Sequence, residues 1–448
     1  MKTLPTLSIS AKNPHLLVQG NQIPFLMIGD TAWELFHRLD LDEIRHYLEV
    51  RASQRFNMIW ANVLPEFDGL TTPNCYGHLP FLDQNPLQPV EPYFEFIDQV
   101  LELAASLGLY VGLLPTWGDK LTAPWGAGPA IFHLDNLNDA REYAAWLGAR
   151  FQNQSNLIWV LGGDRPAKLF GDPDKFPRAN AQEAGIPLDT DWRPIWRAMA
   201  EGLRASGAQQ LVTYHPQGGK DSTSVFLHDE PWLNLNAMQS GHGGGHDIPV
   251  WDWIERDYSR VPAKPTFDAE PNYEDHPVNP WPIWDPSNGF FDDLDVRKQI
   301  YRSIFAGGCG VIYGHHCVWQ FAGERHEPVL EVLFDWKTAL HRPGAESLKH
   351  LVKLIESVDL LSLRPRQDLI KGDSGQGPTH ARAIGSHRES LVYIPDGRPI
   401  ELNLTNSPRT VEEFNPRTGE TRQVAFKPGQ PIIATDAKLD RVIIARFT

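Results

Sequence analysis

The sequence predicts an α/β protein, a (β/α)8 TIM barrel followed by a small all-β sandwich domain, and three observations carry that expectation. Eight short apolar runs alternate with helix-like segments between residue 24 and about residue 350; continuous apolar strands signal a parallel sheet covered by helices. Polar residues collect just after each run. From about residue 360 the texture changes to short alternating runs broken by PDGRP, NSPRT and KPGQ, the pattern of antiparallel strands and turns. The expected division is 1–357 for the barrel, with a short N-terminal β extension, and 358–448 for the β domain.

The first unit is PFLMIGD (24–30) with a helix over 41–55, where Leu41, Ile44, Leu48 and Ala52 recur at helical spacing behind Asp40 as N-cap. NMIWANV (57–63) precedes a helix over 93–108 closed by Gly108. LYVGLLPTW (109–117) precedes a helix over 138–151, and NLIWVLGGD (156–164) one over 191–207. After QLVTYHP (210–216) only SVFLHDEPW separates the fifth run from the sixth, too short for a full helix. LNLNAMQSG (233–241), KPTFDAE (264–270) and CGVIYGHH (309–316) complete the eight, with helices expected over 250–259, 294–308 and within 328–357. A doubly wound open sheet is the competing fold, but GDTAW after the first run lacks the GxGxxG fingerprint.

With 448 residues and a net charge of −15, and with no Lys/Arg run, the chain is not expected to bind nucleic acid. Cys75, Cys309 and Cys317 are odd in number and show no CxxC spacing, which points away from a disulfide framework or a thiolate metal site. The first twenty residues lack the apolar core of a signal peptide, and no apolar run approaches the ~20 residues of a membrane span. A cytoplasmic location and no membrane partner are therefore expected. Fifteen Trp against five Met is unusual, and many of the Trp stand beside Pro, Gly or Asp at strand ends and in loops. A flat apolar face with one N–H suits a sugar ring, although loop packing explains any single Trp as well.

Active-site residues of a barrel project from the carboxyl ends of its strands. There the sequence places Asp30, Glu66 and Asp68, Trp117 and Asp119, Asp164, His215 and Gln217, Gln239 and His242, Asp268 and Glu270, and His315 and His316. Strands four and seven lie across a barrel from each other, so Asp164 and Glu270 can face one another over a central pocket. That is the arrangement a two-carboxylate glycosidase requires. Taken singly, Asp164 after Gly162-Gly163 is also a good turn aspartate, and Glu270 before Pro271 a good loop acid. Asp30, Trp33, Trp117, His215, Gln239, His242, His315 and Trp319 are the expected substrate-binding residues, for ring stacking and hydroxyl hydrogen bonds.

GDTAWELF (29–36), the WVLGGD, YHPQGG and DAEPNYE strands and the tail FNPRTGE together resemble the apiosidase-like barrel glycosidases of glycoside hydrolase family 140, whose barrel is followed by a small β domain described as collagen-binding. The resemblance covers nearly the whole chain. It implies that Asp164 is the acid/base and Glu270 the nucleophile, with a retaining outcome expected. It also implies an oligosaccharide or glycoside substrate, of the apiosyl type found in pectic side chains; no cofactor and no metal are expected. Two other readings compete: a metal-dependent barrel hydrolase using strand-end histidines, and a non-catalytic carbohydrate-binding protein. The first lacks an HxH at strand one; the second would not need both acids. The long segment 169–192 after strand four is a candidate lid over the subsites.

Overall fold

The computed structural model of the chain describes residues 3–447 apart from 123–125, 127, 173, 175–177, 220–221, 282, 405, 435 and 437–438. Eight parallel strands form one sheet: β1 (Met27–Thr31), β2 (Met58–Asn62), β3 (Tyr110–Leu114), β4 (Leu157–Gly162), β5 (Val212–His215), β6 (Asn236–Met238), β7 (Thr266–Asp268) and β8 (Gly310–Tyr313). Each falls inside one of the eight apolar runs. The ladder is continuous from β5 through β1 and β8 to β6, and one backbone and two side-chain hydrogen bonds bridge the remaining seam. Asn234 N–H donates to Val212 O at 2.8 Å, Asn234 Oδ1 accepts Val212 N–H at 2.8 Å, and Thr213 Oγ1 donates to Leu235 O at 3.0 Å.

The covering helices are α1 (Leu41–Ser53), α2 (Glu91–Ser106), α3 (Leu137–Phe151), α4 (Arg193–Ala205), α5 (Val250–Tyr258), α6 (Asp293–Phe305) and α7 (Pro343–Glu356). Asp40 caps α1 in a reciprocal box with Glu43, satisfying backbone donors that the first turn leaves open. Between β5 and β6 the described chain forms only the 3-10 turn Thr223–Val225, as the short spacing requires. In the candidate lid the described residues form one short helix, Arg178–Glu183, and a bridge between Lys168 and Asp191; positions 173 and 175–177 lie outside the described residues, as does Trp125.

Strand parity decides what reaches the barrel interior. Residues paired in register point the same way, so Gly29, Met58 and Tyr110 share one side and Asp30, Ile59 and Val111 the other. Trp60 lies on the first side and meets Phe267 across the barrel at 5.6 Å between ring centroids. A three-stranded antiparallel sheet (Leu7–Ile9, Leu17–Gln19, Ile23–Phe25) precedes β1. None of the helices among the described residues is long and apolar enough to cross a membrane.

After α7 a six-stranded antiparallel sheet runs in the order Arg364–Pro365, Arg382–Gly385, Glu389–Ile394, Arg441–Arg446, Thr410–Phe414, Thr421–Gln423. Its second layer is reduced to the bridges Ile370–Leu402 and Ile400–Ile432, whose side chains pack on Val392 and Ile443. The domain is joined to α6 by buried charge. Asp440 accepts Arg297 Nε and Nη2 at 3.0 and 3.1 Å and the Tyr393 hydroxyl at 3.2 Å, and Tyr301 stacks on Tyr393. Asp440→Ala would leave Arg297 buried with Asp293 alone, so it should lower the unfolding free energy by about 3 kcal/mol. Urea unfolding checks this, and a wild-type midpoint would mean the two domains do not depend on that pair.

Candidate active site

Asp164 is delivered by a bend that no ordinary strand makes. Gly162 and Gly163 adopt φ of +90° and +116°, and Asp164 itself +48°. A Cβ on Gly162 would stand 2.3 Å from His215 O, so the strand end can approach β5 only as glycine. The bend turns the Asp164 side chain, 24% exposed, toward solvent, and aims its backbone N–H at His215 Nδ1, 3.2 Å away.

That bond sets the chemistry of His215. An Nδ1 that accepts carries no proton, so the neutral ring bears its proton on Nε2, and Nε2 lies 3.2 Å from Glu270 Oε2. The contact lies outside hydrogen-bond alignment, so the neutral ring acts on the carboxylate through the dipole of its N–H. His242 repeats the device on the other oxygen: its Nδ1 accepts Tyr273 N–H at 3.3 Å, and Nε2 bonds Glu270 Oε1 at 3.2 Å. Gln239 Nε2 donates to the same oxygen at 2.8 Å. Burial alone would push the Glu270 carboxyl up, but His215 and His242 outweigh it and hold the group at about 2. Because the folded-state value is depressed, the ionised carboxylate contributes stability that is present above the unfolded value near 4.5 and lost as pH falls through about 2.

The rest of the mouth is aromatic. Trp33 lies 4.9 Å from Trp117 and stands edge-on to His215 at 5.2 Å, forming a buried floor with Trp60. Trp319 packs on Phe67 at 5.8 Å and donates to His316 Nδ1 at 3.4 Å, with Arg38 over Phe67. His215, Gln239 and His242 contact Glu270 directly, and Trp33 and Trp117 pack on His215. Asp30 and His315 do neither. Asp30 sits on the outward parity of β1, where its carboxylate accepts Tyr47 and Arg51 at 2.7 and 2.6 Å behind the barrel wall. His315 uses both ring nitrogens within the protein, Nδ1 accepting Cys317 N–H and Nε2 bonding Asp275. Asp30 is fully buried outside the barrel wall and both ring nitrogens of His315 are occupied, so both are corrected to structural roles.

Three further residues enter the site. Tyr273 turns its ring against His242 at 4.5 Å, and burial followed by the Glu270 charge pushes its hydroxyl up. His276 stacks on His242 at 4.0 Å. Glu66, on the loop after β2, is pushed well above the usual carboxyl range, first by burial and then by the charge of Asp164. Lys120 fixes that loop by donating to the carbonyls of Glu66 and Phe67 while paired with Asp119. Glu66 was legible as one more strand-end acid; Tyr273 and His276 sit in an irregular loop that gives no periodic signal.

Comparison with known proteins places the chain in a family. The profile of the “Apiosidase-like, catalytic domain” matches residues 11–362, and that of the “Putative collagen-binding domain of a collagenase” matches 365–441. Among curated proteins none matches the sequence. A solved structure described as a glycoside hydrolase aligns with a TM-score of 0.85 at 26% identity, over 99% of this chain and 97% of its own. A glycoside hydrolase family 5 structure from Bacteroides vulgatus aligns with a TM-score of 0.84 at 25% identity, over 99% and 93%.

Proposed function

Because the chain belongs to the apiosidase-like family of glycoside hydrolases, we propose that it cleaves apiosyl-type bonds in plant-derived, pectic oligosaccharides or glycosides by a retaining, two-carboxylate mechanism. In this reading residues 1–357 form the catalytic barrel and 358–448 an accessory β domain. Glu270 attacks the anomeric carbon as the glycosidic C–O bond breaks, and Asp164 passes its proton to the departing oxygen. In the second step Asp164 takes a proton from water, which attacks the same carbon and releases Glu270.

The observation that carries the reading is the Glu270 environment: a carboxylate at the bottom of an aromatic mouth, held ionised by N–H donors, is what a nucleophile requires. The acid role of Asp164 draws support from Glu66. Burial and the charge of Asp164 push the Glu66 carboxyl well up, and because two neighbouring carboxyls do not both ionise readily their protonation is coupled. Glu66→Gln should therefore move the basic limb of the kcat/KM profile down by about one pH unit, with KM little changed. An unmoved limb would remove Glu66 from the proton inventory.

The test of the reading is hydrolysis of 4-nitrophenyl apioside and of apiosyl oligosaccharides against other pentosides and hexosides, with the apiosyl compounds preferred. The metal-dependent alternative is tested in the same assay. His215 and His242 both spend Nδ1 on backbone N–H groups and turn protonated Nε2 toward Glu270, which leaves no lone pair for a cation. EDTA should leave the rate unchanged, and activity lost to EDTA and restored by zinc would favour the alternative.

A further inference from the structure

One buried amide joins the two loops that surround Glu270. Gln299 Nε2 donates to Ser240 Oγ at 2.9 Å, and Gln299 Oε1 accepts Asn272 N–H at 2.7 Å. Ser240 lies between Gln239 and His242 in sequence, and Asn272 between Glu270 and Tyr273. The link continues inward, because Ser240 Oγ donates to Asp268 Oδ2 at 2.6 Å while Asp268 Oδ1 accepts the N–H groups of Ser240 at 3.2 Å and Glu270 at 3.4 Å. Gly241 N–H then donates to Glu270 O at 2.8 Å. Gln299, Ser240, Asp268 and Asn272 are all buried.

The helix that carries Gln299 is itself fixed from the opposite side. On α6, Arg297 is paired with Asp440, and Arg302 donates to the carbonyls of Gly377, Pro378 and His380 of the β domain. Lys298 and Arg302 both reach Asp247, five residues beyond His242. With its neighbours on both sides anchored, Gln299 presents its amide at one place only.

We propose that Gln299 is a positioning residue, which holds the Gln239–His242 loop and the Glu270–Tyr273 loop in one register so that the Glu270 carboxylate meets its N–H donors. The inference rests on Glu270 being the nucleophile. Gln299→Met keeps the volume and loses both hydrogen bonds. On 4-nitrophenyl apioside it should lower kcat by about 10- to 100-fold with KM within about threefold. Looser donors also stabilise the Glu270 charge less, so an acidic limb absent from the wild type should appear at about pH 4–5.

Ser240→Ala, a smaller change, should move both quantities the same way, with kcat about fivefold lower. It decides the matter should Gln299→Met fail to fold. Wild-type kcat with no new acidic limb overturns the proposal. So does lower kcat with an unmoved limb, which would mark a purely structural role. Glu270→Gln, measured in parallel, separates the two levels. If it is inactive while both variants behave as wild type, only the positioning role fails; if it turns over normally, the nucleophile assignment fails and the positioning role with it.

Discussion

Glu270→Gln should abolish turnover of every glycoside, activated or not, with kcat expected to fall by at least about 10,000-fold. An amide cannot form the glycosyl ester, and a better leaving group does not help because the missing event is bond formation at the anomeric carbon. The amide also clashes with its surroundings. Gln239 Nε2 and His242 Nε2 both aim at Oε1, and His215 Nε2 stands at Oε2, so an NH2 group at either position meets a donor. One histidine must then change tautomer or rotate. Circular dichroism should nevertheless report a folded barrel, since the strands are packed independently of this side chain. Steady-state rates on a 4-nitrophenyl glycoside and on an apiosyl oligosaccharide check the outcome, and rates within tenfold of wild type on either would contradict it.

Asp164→Asn is expected to fail differently. Loss of the acid harms departure of a poor leaving group most, so hydrolysis of a natural apiosyl linkage should fall by about 100- to 10,000-fold. Formation of the glycosyl-enzyme from a 4-nitrophenyl glycoside should fall by about tenfold or less, because nitrophenolate leaves without protonation. Release of the intermediate then limits turnover. Azide attacks without general-base help, so it should accelerate the variant and yield a glycosyl azide of retained configuration, while the wild type should not respond. The backbone bond from Asp164 to His215 Nδ1 is unaffected by the substitution, so the donors around Glu270 stay in place. Equal losses on both substrates, with no response to azide, would make Asp164 a turn residue and direct attention to Glu66.

What was legible in the sequence follows from how each feature is encoded. The eight strands are runs of buried residues, most of them separated by helices of clear period, and that local signal survives tertiary packing. The charged cap of α1 was legible for the same reason, since Asp40 and Glu43 interact only with their own turn. The face toward which a strand-end residue points was not. Asp30 and Thr31 are adjacent, and only the register of β1 against β8 and β2 assigns Asp30 to the outer layer. Glu270 lies beyond the end of β7, where parity no longer holds. The proximity of Asp164 and His215 depends on three consecutive positive φ values, which the two glycines permit but do not reveal. His315 was indistinguishable from His316 until Asp275 and Cys317 were seen to occupy its nitrogens. Gln299, on a helix far along the chain, shows itself only through partners 59 and 27 residues away.

The most direct test of the two-carboxylate mechanism is mass spectrometry of the protein after reaction with an activated 2-deoxy-2-fluoro apioside, which slows release of any glycosyl-enzyme. The mechanism predicts a mass increase of one glycosyl unit, located by digestion to the peptide containing Glu270, and no adduct with Glu270→Gln. An adduct on another carboxylate, or turnover of the corresponding natural substrate with inverted configuration and no adduct at all, would contradict it.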